Sequence, residues 1–505
     1  MIRNNLRYII ASVAIAVVSA CGCAKQRTLP QHIENKDIVR YAGDLSFSSA
    51  ILGMNVNFSI LLPKDYVSKP EKRYPVVYMC HGLGDNNNSW NDKWLRIEEK
   101  VTELEARGLD DMIYVFPNGL KTYYVNRVDG TFRYMDMFIR EFIPHIDRTY
   151  RTIADKRHRS VTGYSMGGFG ALALAEKNPD MFLCCAPLSM SFRTDQQYMT
   201  EAQEVWDNQW GWIFGGKGSS GEARLTDYYK SFCPFYQFVP ENRSILSKVN
   251  WFLTCGDDEE QLLIANDELH VQMRDNGYEH EYRVKNGGHT GSYWRSALDE
   301  VLPYFASHMG GSSSWTYTDI AIDIPDCVIE NDGSFVSAAY WEKEGKSAIY
   351  MFHEGIGRKL LDKSIAIMQR GVSARPYVIL PCDLGKASLE SWLAEWEKKY
   401  PAEKKVAIAF GKAGKEVWSK REHFGKLLFE DAYVSDNICN EKTDKSIFYY
   451  MGLPDDGLYY KDMGGLYKLC KAQGAKFEYR VRNSAEDTEK SFLQGIESMK
   501  EFIFY

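Results

Sequence analysis

Apolar residues along this chain gather in short unbroken runs separated by polar turns. Tyr74–Cys80 and Val249–Cys255 are too short for helices and predict strands buried on both faces. Cys184 and Cys185 lie in a further predicted strand that ends near Ser189, and Glu281–Lys285 predicts another. Between the first two runs, Val161-Thr162 enters Gly163-Tyr164-Ser165-Met166-Gly167 and then a helix-like stretch, Phe169–Glu176: strand, sharp turn, helix. The same alternation returns late in the chain at Ala348–His353, Lys405–Gly414, Phe448–Asp456 and Glu478–Asn483. Strands alternating with helices predict the α/β class, with a mainly parallel sheet flanked by helices.

The turn around Ser165 carries candidate chemistry. In a Gly-x-Ser-x-Gly frame the serine sits on a strained turn, and Gly163 and Gly167 leave room that a Cβ would fill. The turn aims the amide of Met166 at the space above Ser165, where an oxyanion would form. Upstream, the run Tyr74–Cys80 empties into His81-Gly82-Leu83-Gly84-Asp85, a loop placed to supply a second oxyanion N–H from Leu83. Here His81 precedes the turn and is read as structural. Downstream, Gly256-Asp257-Asp258-Glu259 offers carboxylates after a strand, and Asn286-Gly287-Gly288-His289 offers a base. The order serine, acid, histidine fits a triad in which His289 takes the proton of Ser165 and the acid orients the imidazole. Two acids compete for that place, Glu259 and Asp258.

On these motifs, together with Phe142-Ile143-Pro144-His145-Ile146-Asp147, Tyr150-Arg151-Thr152, Gly168-Phe169-Gly170-Ala171-Leu172 and Trp294, residues 41–308 resemble the esterase D/feruloyl esterase group of carbohydrate esterase family 1. The resemblance implies an α/β-hydrolase fold, serine-based ester hydrolysis, and neither a metal nor an organic cofactor. The chain departs from the pattern at the acid loop. Such enzymes carry Asp three residues after the glycine, where this sequence has Glu259, and one extra residue precedes Leu262-Leu263.

After Gly310-Gly311-Ser312-Ser313-Ser314, a flexible linker by composition, the hydrolase pattern repeats in worn form. Ala348–His353 echoes Val76–His81, Glu478–Asn483 echoes Glu281–Asn286, and Leu466–Gly474 aligns with Leu269–Gly277. In the repeat, Gly411 stands at the nucleophile position, Glu486 at that of His289 and Glu354 at that of Gly82. Only a carboxylate three residues past the glycine persists, Asp455 after Gly452, which favours Glu259 over Asp258 in the first half. The expected organisation is a signal peptide over 1–20, a tether over 21–40, a catalytic domain over 41–308, a linker over 309–316 and a smaller, non-catalytic hydrolase-like domain over 317–505.

Composition adds limits. At 505 residues with 45% hydrophobic content, the chain can build more than one core. A net charge of −7 without a basic cluster excludes a nucleic-acid partner. Arg3 and Arg7 before the apolar stretch Tyr8–Val18 suit a signal peptide, and Val18-Ser19-Ala20-Cys21 resembles a bacterial lipobox, implying a lipid on Cys21 and a membrane anchor at the periplasmic or cell-surface face. Cysteine spacing shows no disulfide framework, so buried free thiols are expected. An aromatic insert between Ser189 and Val249, with Trp206, Trp210 and Trp212, is expected to wall the cleft in part, with Tyr124 on another edge. The expected activity is removal of feruloyl or acetyl groups from plant polysaccharide fragments. The alternatives are an acyltransferase of the antigen 85 kind and a non-catalytic glycan-binding lipoprotein.

Overall fold

The computed structural model describes residues 40–311, 328–331, 335–339, 347–369, 377–435, 441–452, 466, 467, 469, 470, 472–483 and 488–504. The signal segment, Cys21, residues 312–316 of the linker, Asp455 and Glu486 lie outside the described residues.

In the first half, the strands are β1 (Tyr41–Ser49), β2 (Met54–Leu61), β3 (Val76–Cys80), β4 (Ile113–Pro117), β5 (Arg159–Tyr164), β6 (Cys184–Leu188), β7 (Asn250–Gly256) and β8 (His280–Lys285). The second half contributes β9 (Val328–Asn331), β10 (Phe335–Ala339), β11 (Ser347–His353), β12 (Tyr377–Asp383), β13 (Lys404–Phe410), β14 (Lys426–Glu430), β15 (Ser446–Met451) and β16 (Phe477–Asn483). They form one 16-stranded sheet in the order β1-β2-β4-β3-β5-β6-β7-β8-β16-β15-β14-β13-β11-β12-β10-β9. Taken from its outer edge inward, the second half runs in the same order as the first, with the same parallel core and antiparallel edge.

The division expected at 309–316 therefore does not separate two sheets. Strands β8 and β16 would each expose a row of unpaired backbone groups, and they satisfy one another by antiparallel pairing. In the register, Val284 faces Val481, Arg283 faces Arg482 and Tyr282 faces Asn483. Val284 and Val481 are also the matching residues of the Glu-Tyr-Arg-Val repeat, so a local two-fold axis passes between them, as in an isologous dimer joined within one chain.

The central strands are apolar throughout because both faces are covered. Val76, Tyr78 and Cys80 of β3 point into one core, and Val77 and Met79 into the other. On the first face, a continuous core passes from the first half through Val284 and Val481 into the second. The opposite face is divided: the helices Ile97–Ala106 and Gly291–His308 cover the first half, while Arg358–Gln369 and Thr488–Phe504 cover the second. The seven described cysteines are buried and unbridged.

Candidate active site

Ser165 follows directly on β5 and precedes the helix Met166–Lys177. Its backbone is held at φ 58°, ψ −120°, a left-handed conformation that a non-glycine residue adopts only under constraint. Three hydrogen bonds supply that constraint: Ser165 N–H donates to Leu188 O, and Ser165 O accepts from the amides of Ser191 and Phe169. Close approach explains the glycines. A Cβ on Gly163 would lie 2.3 Å from Gly167 O, and one on Gly167 would lie 2.3 Å from Cys80 O.

His289 connects the serine to an acid. Its Nε2 lies 2.8 Å from Ser165 Oγ, and its Nδ1 lies 2.7 Å from Glu259 Oε2. A carboxylate only accepts, so Nδ1 carries the hydrogen and Nε2 is left to accept the serine proton. The other oxygen of Glu259 accepts from Ser189 Oγ at 2.5 Å and from the Gly256 amide at 3.0 Å. The Glu259 side chain is fully buried, whereas the His289 ring is 38% exposed at the mouth of the site.

Asp258, the rival acid, is exposed, and its amide donates to Gly287 O. The geometry corrects that alternative: the chain turns after Gly256 so that Asp258 points to solvent and Glu259 points inward.

The two amides expected to hold an oxyanion lie on backbone turns. Met166 is the first residue of its helix, so its N–H has no intrahelical acceptor. Leu83 lies inside the turn closed by the Asp85 amide on Gly82 O, with Gly84 at φ +88°, and is 37% exposed. His81 is buried, bonded at Nδ1 to Gly82 O and at Nε2 to the Gly119 amide, both at 2.8 Å. The histidine thus braces the turn from behind.

The expected aromatic lining is corrected at three positions. Trp206, Trp210 and Tyr124 are completely buried and pack the protein rather than a cleft. Trp206 donates to Gly216 O, and Trp210 lies against Tyr123, Tyr198 and Phe214 in the core of the insert. Tyr124 accepts the His81 amide on its hydroxyl at 2.7 Å and so fixes the loop that carries Leu83. A ring buries most area, and gains most, against other rings, which is why the insert keeps its aromatic residues for itself. Trp212 is half-buried beneath the Arg127 guanidinium, 4.5 Å from its ring centre.

Two further groups support the acid, Ser189 and Trp294. Ser189, at φ 46°, relays Trp294 to the acid: Trp294 Nε1 donates to Ser189 Oγ at 2.9 Å, and Ser189 donates on to Glu259. The Trp294 ring also stacks on Tyr164 at 4.2 Å and stands edge-on to His289 at 5.0 Å. Trp294 was visible as part of the histidine motif; nothing near Ser189 in sequence marks its role.

Comparison with known proteins places the same region. The Esterase family model, whose description reads "Putative esterase", matches residues 49–305. An esterase of Mycobacterium tuberculosis is 26% identical over 260 residues, covering 48% of this chain and 54% of that protein. The chain thus spans about half the length of that relative. A protein of Xylanibacter ruminicola named endo-1,4-beta-xylanase/feruloyl esterase is 30% identical over 145 residues, 27% of this chain and 20% of that one. Among solved structures, a ferulic acid esterase is 29% identical with a TM-score of 0.44, covering 54% of this chain and 98% of its own.

Proposed function

Since the chain belongs to the esterase family, with the match falling on the half that holds Ser165, we propose that it is a serine hydrolase of carboxylic esters, acting through Ser165, His289 and Glu259. The observation that carries this reading is the histidine whose two nitrogens meet a serine at 2.8 Å and a buried carboxylate at 2.7 Å.

Each group then has one task. His289 Nε2 accepts the proton as Ser165 Oγ attacks the ester carbonyl. The amides of Met166 and Leu83 hold the oxyanion. His289 returns the proton to the departing alcohol, leaving an acyl-serine that water cleaves by the same steps. Glu259 holds the imidazole in the correct tautomer and stabilises its charged form.

The substrate class we propose is feruloyl or acetyl esters on plant polysaccharide fragments. Its support is the names of relatives: the feruloyl esterase above, and an acetyl esterase of Caldicellulosiruptor saccharolyticus that is 23% identical over 278 residues. Export and lipid anchoring at Cys21 form part of the proposal, supported by Arg3, Arg7, the apolar stretch Tyr8–Val18 and Val18-Ser19-Ala20-Cys21. Such an anchor would put the enzyme where polymer fragments reach it.

The deciding experiment is ester release by the full chain beside Ser165→Ala, on 4-nitrophenyl acetate, methyl ferulate and feruloylated or acetylated xylo-oligosaccharides. Serine-dependent release, fastest on the oligosaccharides, is expected. No serine-dependent release from any of them would refute the proposal.

A further inference from the structure

Asp257 is the point at which the second half of the chain reaches the triad. Its Oδ2 pairs with Nη1 of Arg480 on β16, an ion pair closed to solvent on both sides. Its Oδ1 accepts the Gly287 amide at 3.1 Å. One carboxylate thus ties three elements: the acid loop it belongs to, the histidine loop and a strand of the second half.

The stitching of these loops is tight. Asp257 N–H donates to Lys285 O, and Asp258 N–H donates to Gly287 O. A Cβ on Gly256 would lie 2.1 Å from Gly287 O, so the two loops have no slack between them. Glu259 follows Asp257 by two residues, and His289 follows Gly287 by two. Any shift of Asp257 therefore reaches both partners of the 2.7 Å contact between Glu259 and His289.

Arg480 is itself held. It donates to Tyr479 O at 2.8 Å and to Glu478 Oε2 at 3.2 Å, and its guanidinium lies 5.3 Å from the Phe448 ring centre. Its counterpart in the repeat, Arg283, makes the same two local contacts, to Tyr282 O and Glu281. Arg283 also pairs with Glu300.

We propose that Arg480 is a positioning residue for the active site: through Asp257 it fixes the loops that present Glu259 and His289. The second half, which has a glycine at the nucleophile position, thereby takes part in the reaction of the first. This rests on the triad reading above.

The test uses the full chain. Arg480→Ala is expected to lower kcat by about tenfold to a hundredfold, the scale of a small misplacement of catalytic groups, with KM within about twofold. Arg480→Lys should recover most of that loss. Asp257→Asn should lose about as much as Arg480→Ala, and the double variant no more than either, because the pair acts as one unit. Tyr479→Phe, which removes a seam hydrogen bond to Asp267 outside these loops, should leave kcat unchanged.

Hydrogen exchange at the Gly287 amide supplies a readout that needs no turnover. It should quicken by about tenfold or more in Arg480→Ala and stay as it was in Tyr479→Phe. Wild-type kcat in a folded Arg480→Ala protein, or unaltered exchange at Gly287, would overturn the proposal. Should that variant fail to fold, Asp257→Asn at wild-type kcat overturns it equally. Ester release that does not depend on Ser165 would instead strike the triad reading, while exchange at Gly287 would still judge Arg480.

Discussion

Gly411 takes in the second half the backbone turn that Ser165 takes in the first, with φ 54° against 58°. The neighbours correspond as well. Gly411 N–H donates to Glu430 O as Ser165 N–H donates to Leu188 O, and Tyr433 N–H donates to Gly411 O as Ser191 N–H donates to Ser165 O. One residue past each acceptor strand, Asp431 and Ser189 share a positive φ, 43° and 46°. The scaffold of a nucleophile turn is present in both halves, and only one carries a nucleophile.

A serine restored at Gly411 should therefore fit but not work. A Cβ there meets nothing within 4 Å, yet the left-handed backbone costs a non-glycine residue about 1–2 kcal/mol. Gly411→Ser is expected to lower the melting temperature by a few degrees. In a Ser165→Ala background it should add no ester release, because Glu354 stands where Gly82 opens the oxyanion turn. Turnover above the Ser165→Ala level would show a second competent site.

Substitution of the triad should separate its members. Ser165→Ala is expected to cut kcat by about four to six orders of magnitude without loss of fold, as measured by turnover and circular dichroism. Glu259→Gln should cost about a thousandfold or more, since the amide cannot stabilise the imidazolium. Asp258→Asn, exposed and turned away from the ring, should stay within about threefold. Equal losses at Glu259 and Asp258 would show that His289 is oriented by neither alone.

How far the sequence discloses this site depends on the range of the interactions involved. The turn at Ser165, the loop at Leu83 and the loop at His289 are local backbone features, and their glycines announce them. The acid is harder, because Asp257, Asp258 and Glu259 are neighbours and only the fold decides which is buried toward His289. Aromatic residues mislead for a related reason. Trp206 and Trp210 read the same in sequence whether they line a cleft or fill a core, and packing against Tyr198 and Phe214 settles it. The seam was out of reach: the repeated Glu-Tyr-Arg-Val shows that β8 and β16 correspond, not that they pair. Arg480 and Asp257 lie 223 residues apart, and no local pattern joins them.

Glu300 holds the seam on the other side and gives it an acid-sensitive element. It pairs with Arg283 and Lys285 of the first half and with Arg482 of the second. Burial alone would push its carboxyl up, but Lys285, Arg283 and Arg482 outweigh burial and hold it well below the usual carboxylate range. A depressed folded-state pKa contributes stability that is complete above the unfolded value, about 4.5, and drains away as pH falls toward the folded one. Wild-type stability should therefore decline on acidification below about pH 4.5. Glu300→Gln should remove that part of the slope and, by taking away a buried carboxylate shared by three cations, cost on the order of 3 kcal/mol at pH 7. Denaturant melts of both proteins from pH 3 to 7 measure this, and identical slopes would remove Glu300 from the account.

Glu176 predicts the opposite slope. It is buried at the end of the helix that Ser165 begins, with both carboxylate oxygens lacking a partner among the described residues. Burial pushes its carboxyl up to about 8, against a smaller downward pull from Lys177. The folded state therefore keeps a proton that the unfolded chain has already released above about pH 4.5, so the stability tied to this proton is complete at low pH and lost as pH rises through 8. The loss cannot exceed about 1.4 kcal/mol per pH unit for one proton. Glu176→Gln keeps the shape, cannot ionise, and should flatten the stability profile between about pH 5 and 8 while raising stability most at its alkaline end. Melts of the two proteins over that range decide the matter: an unchanged slope would mean that Glu176 is charged and paired in the folded protein, and that the helix behind Ser165 tolerates a buried carboxylate by some contact other than a retained proton.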